Sequence, residues 1–467
     1  MNTAKKNYNG QYHYFAEMGN NLTDRFVDNI IGICTSKLPG RLKDDVRSHF
    51  LDYLGVTLAG AVMQRGKLQK LLASMPEGNF SVIGSDNKTD FFSAAFINGI
   101  NSHFIELDDG HRLGMLHLEA PVFSALLSLY EKEKISQIDF FKGTVVGYEA
   151  AIRLAMAIQP SHKLKGYHAT GTCGTVGVTA AVATALHYDA TKMKDALSAA
   201  MTSAAGLLEM IEDDSELKPY NIGRSVVDGL MASFSGKAGF HAPNDALGGK
   251  RGFLAVTSDN PNLDVLLNFE ADKYLIEGTY MKPYAACRHL HPAIEAALTI
   301  AKSGDFDWRN VSNVIVDAYH LAVFGHDHQE VTSVNSAKMS IPYSVAVALI
   351  NKSANMEDFS SEKINDTDIL NLAKKVFVKD DDELTKLCPA KRVSVVTITM
   401  NDGSEIKQRI DYPKGEPENP LTQQELEKKF RSLAMFGGLS SLECDEVINE
   451  IWKEEFDLNN ILRIVCR

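Results

Sequence analysis

Two runs of small apolar residues constrain this chain most: Gly174 to Leu186, and Met193 to Ala205. The first carries no charged residue at all, and the second is richer still in Ala. Helices of that kind belong in the middle of a helical domain, where small side chains let neighbouring backbones approach closely. The apolar stretch at Gly174 falls short of the ~18 residues that a membrane-spanning helix needs. Met1 to Asn21 is polar and lacks the apolar stretch of a secretory signal. The expectation is a cytoplasmic protein that does not enter the membrane.

Helical periodicity runs through the first half. Phe26, Ile30 and Ile33 share one face, and Leu42, Val46, Phe50 and Leu54 repeat the pattern. Further helices are expected from about Phe91 to Ile105, Ala120 to Glu131 and Ile138 to Met156. No alternation of strand and helix is visible, which argues against a doubly wound sheet. The character changes after about Tyr274. Val311 to Ala318 is a β-branched run, and Arg392 to Met400 places Val393, Val395 and Thr397 on one face. Asn401-Asp402-Gly403 followed by Ile406 to Ile410 is a hairpin signal. Helical segments accompany these strands, at His291 to Ser303 and at Pro342 to Ile350. After Pro413-Lys414-Gly415 the pattern returns to helix, with Thr422 and Glu425 spaced as a capping box. The fold class expected is mainly α with a smaller α+β part.

Charge and cysteine usage narrow the partners. A formal net charge of -12 argues against nucleic acid and anionic membrane, while leaving a small anionic substrate to local cations. The 6 cysteines are scattered and form no CxxC pair, so free thiols are expected, with neither a disulfide framework nor a zinc site.

Four clusters place ionisable residues in otherwise apolar, Gly-rich sequence. The first runs from His103 through Glu106, Asp108, Asp109, Gly110 and His111 to His117. It suits acid-base work or metal binding, or else a capped loop in which Asp109-Gly110 makes the turn. The second, Gly166-Tyr167-His168-Ala169-Thr170-Gly171-Thr172-Cys173-Gly174, approaches the Ala-rich helix. Free N–H groups at a helix start attract a carboxylate, and His168 is placed to exchange a proton. By itself, close helix packing is the simpler reading of those glycines. The third and fourth both contain Lys-Pro-Tyr, around Lys218 and Lys282, and proline keeps the preceding lysine extended. Together with Arg224, Arg288 and two histidines they make a cradle for a polyanion, each charge-assisted contact being worth ~1.5–3 kcal/mol. His289-Leu290-His291 and His326-Asp327-His328 invite a metal reading. Residues two apart point away from one another on a strand, and no HExxH accompanies them, so a metal-free site is expected.

Taken together, the clusters resemble the MmgE/PrpD family, which includes 2-methylcitrate dehydratase, cis-aconitate decarboxylase and iminodisuccinate epimerase. The resemblance rests on Asn98-Gly99, on the acidic loop Glu106-Leu107-Asp108-Asp109, and on His117 before Ala120-Pro121-Val122. It continues through Gly147-Tyr148-Glu149 with Arg153, the motif from Gly166 to Gly174, the lysine loop ending in Gly223, and Lys282 to Pro292. Ala337 to Tyr343 and Lys414-Gly415-Glu416-Pro417 extend it, so it spans roughly Asn21 to Phe436.

The family fold implies a large all-helical domain formed by both chain ends, with a smaller α+β lid inserted. In this numbering that is 1–276 for the main helical part, 277–413 for the lid and 414–467 for the returning helices. The resemblance also implies a homodimer and a pocket between helical domain and lid. It implies a cofactor-independent, metal-independent lyase of dehydratase type, acting by proton abstraction beside a carboxylate on a small di- or tricarboxylic acid. Epimerase or decarboxylase activity is the alternative, and a silent carboxylate-binding protein a further one. Carried over by motif, His117, His168, Lys218 and Lys282 are catalytic, and Glu106, Asp108, Asp109, Gly171, Arg288 and His291 bind substrate. The chain departs from the family pattern at Glu106, Gly110, Leu118, Glu119, Ala169 and Asn221. It also has no clear counterpart, near Val323, of a tyrosine that some decarboxylase members carry.

Overall fold

A computed structural model describes residues 21–211, 215–270, 272–304 and 306–466. The chain divides into two units. The larger comprises Met1–Phe104, Asp108–Thr279 and Glu425–Arg467; the smaller comprises Ile105–Leu107 and Tyr280–Gln424. None of the described helices is long and apolar enough to cross a membrane.

The longer helices of the larger unit are α1 (Leu22–Thr35), α2 (Gly40–Met63), α3 (Arg65–Leu72), α4 (Phe91–His103), α5 (Glu119–Glu133), α6 (Gln137–Ile158), α7 (Ala169–Ala185), α8 (Ala190–Ser203) and α9 (Leu217–Lys237). Every residue of α7 is buried, as expected of a helix without a charged residue. It packs against α5, α6, α8 and α9. A Cβ on Gly177 would lie 2.7 Å from the Gly147 carbonyl oxygen and 2.7 Å from Ala151 Cβ, so α6 and α7 meet backbone to backbone only because both positions are glycine. Adding that methyl would overpack the contact by about 1–3 kcal/mol.

Helix α7 starts five residues before the apolar run at Gly174, since Ala169 to Cys173 are already helical. The threonine hydroxyls in this buried stretch find partners: Thr172 Oγ1 lies 2.9 Å from His162 Nε2, and Thr175 Oγ1 donates to the Gly171 carbonyl at 2.8 Å. A second difference concerns Lys218. The expected extended lysine lies instead in the first turn of α9, with Pro219 as the third helical residue. Proline is tolerated there because first-turn N–H groups have no intrahelical acceptor to lose.

The smaller unit is built on a mixed sheet of β1 (Val311–Ala318), β2 (Val376–Asp380), β3 (Ser394–Met400) and β4 (Glu405–Ile410). Its order is β2-β1-β3-β4, with β1 parallel to β2 and the other pairs antiparallel. The turn between β3 and β4 uses Gly403 at φ 82°, which is why Asn-Asp-Gly stands there. Helix α10 (His291–Ala301) packs on β3, β4 and α11 (Ile341–Asn351). The expected single face of Val393, Val395 and Thr397 is only part of the burial: Ser394, Val396 and Ile398 are fully buried too. Val393 and Val395 instead join Ala318, Tyr319, Ala322 and Leu384, so the start of this strand is covered on both faces. The C-terminal helices α12 (Gln423–Phe436), α13 (Ser441–Ile451) and α14 (Leu458–Val465) complete the chain. All but the first two residues of α12 fall in the larger unit. Lys429 on α12 reaches Asp52 on α2 at 2.6 Å with both side chains nearly out of solvent.

Candidate active site

In the larger unit the first two sequence clusters meet. The loop after α4 turns back so that His103 Nδ1 lies 2.6 Å from Asp108 Oδ2, and both side chains are fully buried. Burial alone would raise the Asp108 carboxyl, but the charges and hydrogen bonds of His103 and His117 outweigh it and hold it well below the usual range. His117 Nδ1 is 2.5 Å from the Asp109 carbonyl oxygen and 3.3 Å from Asp108 Oδ2. Both partners are oxygens that accept, so Nδ1 carries the hydrogen. The His117 N–H donates to Thr170 Oγ1 at 3.0 Å, tying this loop to the start of α7.

His168 caps α7 and is 6% exposed. Its Nδ1 donates to Asn221 Oδ1 at 2.6 Å, so here too the hydrogen sits on Nδ1. Burial first, then the positive charges of Lys218, His103 and His117, pushes the imidazole down to about 3 despite the Asn221 hydrogen bond. His168 is therefore neutral at neutral pH. Gly171 has a structural task here: a Cβ at that position would collide with Asn221 Oδ1 and the Ala205 carbonyl oxygen. Lys218, from the first turn of α9, is half-buried and adds its charge to the field at His168. Arg224, by contrast, pairs with Asp228 one turn on at 2.8 Å and is about half exposed, which removes it from the anion cradle.

Behind His117 lies a fully buried polar layer. Asp109 Oδ1 accepts the N–H groups of Leu118 and Glu119 at 2.9 and 3.0 Å, capping α5, and Oδ2 accepts the Tyr148 hydroxyl at 2.8 Å. His49 Nδ1 faces the same Oδ2 at 3.3 Å and Glu119 Oε2 at 3.9 Å. Burial, reinforced by Asp52 and Asp109, pushes the Glu119 carboxyl well above its usual range, so it holds a proton. By distance alone, two groups of side chains among the described residues have metal-ligand character: His103, Asp108 and His117, and His49, Asp109 and Glu119, each with ligand atoms within 4.8 Å of one another. Neither is one of the paired histidines singled out in the sequence. His289 instead meets the Tyr319 hydroxyl at 2.6 Å, and His328 Nε2 the Ser336 carbonyl at 3.1 Å.

The smaller unit gathers the other cations. Lys282, 1% exposed, donates to the Glu106 carbonyl oxygen at 2.9 Å and meets Glu106 Oε2 at 3.1 Å. Glu106 sits at φ 59°, in the left-handed region. Lys338 donates to the Ile105 carbonyl at 3.3 Å. Burial, followed by the charge of Lys282, brings its ammonium down to about 8 although Glu106 opposes this. Arg288 is turned inward: NH1 donates to His291 Nδ1 at 2.6 Å, NH2 meets Glu416 at 2.8 Å, and the guanidinium lies 4.7 Å from the Tyr280 ring centre. His291 Nε2 donates to the Ala286 carbonyl at 3.1 Å.

The sequence model of the MmgE/PrpD N-terminal domain matches residues 24–266, and that of the C-terminal domain matches residues 284–454. The chain belongs to the MmgE/PrpD family. It is 26% identical over 432 residues to the cis-aconitate decarboxylase of Aspergillus terreus, covering 86% of this chain and 87% of that protein. To the cis-aconitate decarboxylase of Homo sapiens it is 25% identical over 437 residues, 88% of each chain. To the cis-aconitate decarboxylase-like protein oryM of Aspergillus oryzae it is 23% identical over 444 residues, 89% of this chain and 90% of that one.

Within this family frame, the structure brings His117, His168, Lys218, Asp108 and Asp109 into the larger unit, and Glu106, Lys282, Arg288 and His291 into the smaller. Arg288 and His291 tie their own loop together, and Arg288 also joins it to Glu416. Asn221, His49, Glu119, Tyr148 and Lys338 were not singled out for any chemical role in the sequence. Asn221 was visible only as a departure from the family pattern, and Lys338 only as part of a motif.

Proposed function

We propose that this protein is a cofactor-independent lyase acting on a small tri- or dicarboxylate by proton transfer beside a carboxylate. The observation that carries the reading is the pair of imidazoles, His117 and His168, each with Nδ1–H held by an oxygen. A neutral His168 and a second imidazole, His117, each with its tautomer fixed by an oxygen, suit the exchange of a proton at carbon. Charge that builds on a carboxylate in that step needs fixed cations, and we assign this to Lys218, Lys282 and Lys338. A bound polyanion would itself raise His168 from its low value, preparing it to take a proton. In this reading Arg288 and His291 hold the loop that presents Lys282, and no step is assigned to a metal or cofactor. The protein is further proposed to work as a homodimer.

Two bond cleavages share the same carbanion-like state. The names of the relatives favour loss of carbon dioxide from cis-aconitate. The lack of a clear counterpart, aligned near Val323, of the tyrosine that some decarboxylase members carry favours loss of water from a hydroxylated acid. Incubation with cis-aconitate and with 2-methylcitrate, followed by carbon NMR, separates them. Bicarbonate with a shortened diacid marks a decarboxylase, and water loss or addition marks a dehydratase. Inversion without either marks an epimerase. Binding without turnover of any member of a wider carboxylate panel contradicts the lyase reading and leaves a silent binding protein.

A further inference from the structure

The loop from Lys282 to Pro292 carries a thiol that the proposed reaction does not use. Cys287 Sγ lies 3.7 Å from His326 Nε2. Both residues are fixed by one stretch of backbone: the Cys287 N–H donates to the Lys338 carbonyl at 2.9 Å, and the Ile341 N–H donates to the His326 carbonyl at 2.8 Å. The His289 ring stands 5.8 Å from the His326 ring, and its Nδ1 is 2.6 Å from the Tyr319 hydroxyl. Lys282 adds a second positive charge that acts on the sulfur. The pair is thus a cysteine and a histidine in contact, flanked by a lysine, a tyrosine and a second histidine, all within the smaller unit.

An imidazole beside a thiol takes its proton, and the resulting thiolate and imidazolium stabilise one another. Both partners shift in the matching direction. Burial would raise the Cys287 thiol, yet His326, with Lys282 behind it, brings it down to about 7. Burial would lower His326, yet the facing sulfur raises it. Four other cysteines go the opposite way. Burial pushes Cys34 and Cys444 up, and pushes Cys173 and Cys466 up to about 12.

We infer that Cys287 is a modification site for soft carbon electrophiles, with His326 as the group that holds its thiolate. With a haloacetamide, the sulfur lone pair forms the C–S bond as the carbon–halogen bond breaks and halide leaves. The thiol proton, already on His326, then passes to water. With an activated alkene, sulfur bonds to the β-carbon, the π pair moves to the α-carbon, and the His326 proton is delivered there.

The test uses the native full-length protein and does not depend on the proposed lyase activity. It is treated with limiting iodoacetamide, quenched at intervals, and digested for peptide mass spectrometry. Half of Cys287 ionised at pH 7, against roughly 3% of an ordinary thiol, gives an expected rate advantage of about 10-fold or more over Cys34, Cys388 and Cys466. The Cys287 rate should rise with a midpoint near pH 7. His326→Ala, checked for fold by circular dichroism, should cut the rate at pH 7 about 10-fold and move the midpoint towards that of an ordinary thiol. If His326→Ala does not fold, His326→Gln and the wild-type pH profile carry the same test. Labelling of Cys287 no faster than Cys388, or a rate and midpoint unmoved in the folded His326 variant, overturns the inference.

Discussion

Replacing Asn221 with Ala isolates the contact that sets the His168 tautomer. In the native chain Nδ1–H donates to Asn221 Oδ1 at 2.6 Å, and His168 is 6% exposed. Asn221→Ala leaves that N–H without its acceptor in a site closed to bulk water, a cost of about 1–3 kcal/mol. The ring escapes by moving the hydrogen to Nε2. At ~1.4 kcal/mol per factor of ten, the tautomer ratio should shift by about tenfold or more towards the Nε2–H form. A ring carrying its hydrogen on Nε2 cannot accept a proton there, so kcat/KM on any turned-over substrate should fall about 10- to 100-fold. Long-range proton–nitrogen correlation spectra of histidine-labelled protein read the tautomer directly, with no need to know the substrate. Asn221→Asp retains an acceptor, so it should keep the hydrogen on Nδ1 and bring His168 up from its low value. An unchanged tautomer in folded Asn221→Ala refutes the argument, as does full activity with the tautomer reversed.

Lys282→Ala or Lys218→Ala should lower turnover by about 10²-fold or more if each receives developing carboxylate charge; a variant with full activity removes that lysine from the mechanism. Acid stability offers a separate check. His162 and His168 are pushed down to about 4 and about 3, mainly by burial, so each stays neutral in the fold while the unfolded chain takes up protons below about 6.5. Their stabilising contribution is therefore complete above that value and is lost as pH falls towards the folded values. Between pH 7 and 5 each costs about 2 kcal/mol, and His162→Gln should reduce the measured loss by that amount in urea unfolding. An unchanged pH dependence would mean that His162 is protonated in the fold. Activity is expected to survive prolonged EDTA; loss restored by one divalent ion would assign a metal to His103, Asp108 and His117 or to the buried group behind them. Sedimentation equilibrium should give a dimer, and a monomer at micromolar concentration with full activity contradicts the proposed assembly.

Much of the fold was legible because burial and sequence pattern agree. Helix α7 carries no charged residue and lies buried all round, and the Asn401-Asp402-Gly403 turn needs the left-handed glycine that its sequence supplies. Strand β2 was not legible: it lies at the sheet edge, and beyond Val376 its residues are exposed or half-buried, so no alternation marks it. Lys218 was misplaced in conformation because a Lys-Pro pair reads as extended in a loop but is equally compatible with a first helical turn. Within the site, ionisable residues in Gly-rich surroundings were visible one cluster at a time. The partnerships were not, since Asn221 reaches His168 across 53 positions and Tyr148 reaches Asp109 across 39. Chain distance of that kind leaves no local pattern to read. The close approach of His49 and Glu119 to Asp109 is hidden for the same reason, and it turns an apparent loop carboxylate into the cap of α5.

Proton transfer beside a carboxylate leaves an isotopic trace that proton NMR in deuterated water reads. The protein would be incubated with citrate, 2-methylcitrate, cis-aconitate, malate and iminodisuccinate in turn. Deuterium is expected at a carbon next to a carboxylate in at least one of them or its product, abolished in His168→Ala and in His117→Ala. Absence of exchange across the panel, or exchange that survives both substitutions, would contradict the proposed proton transfer.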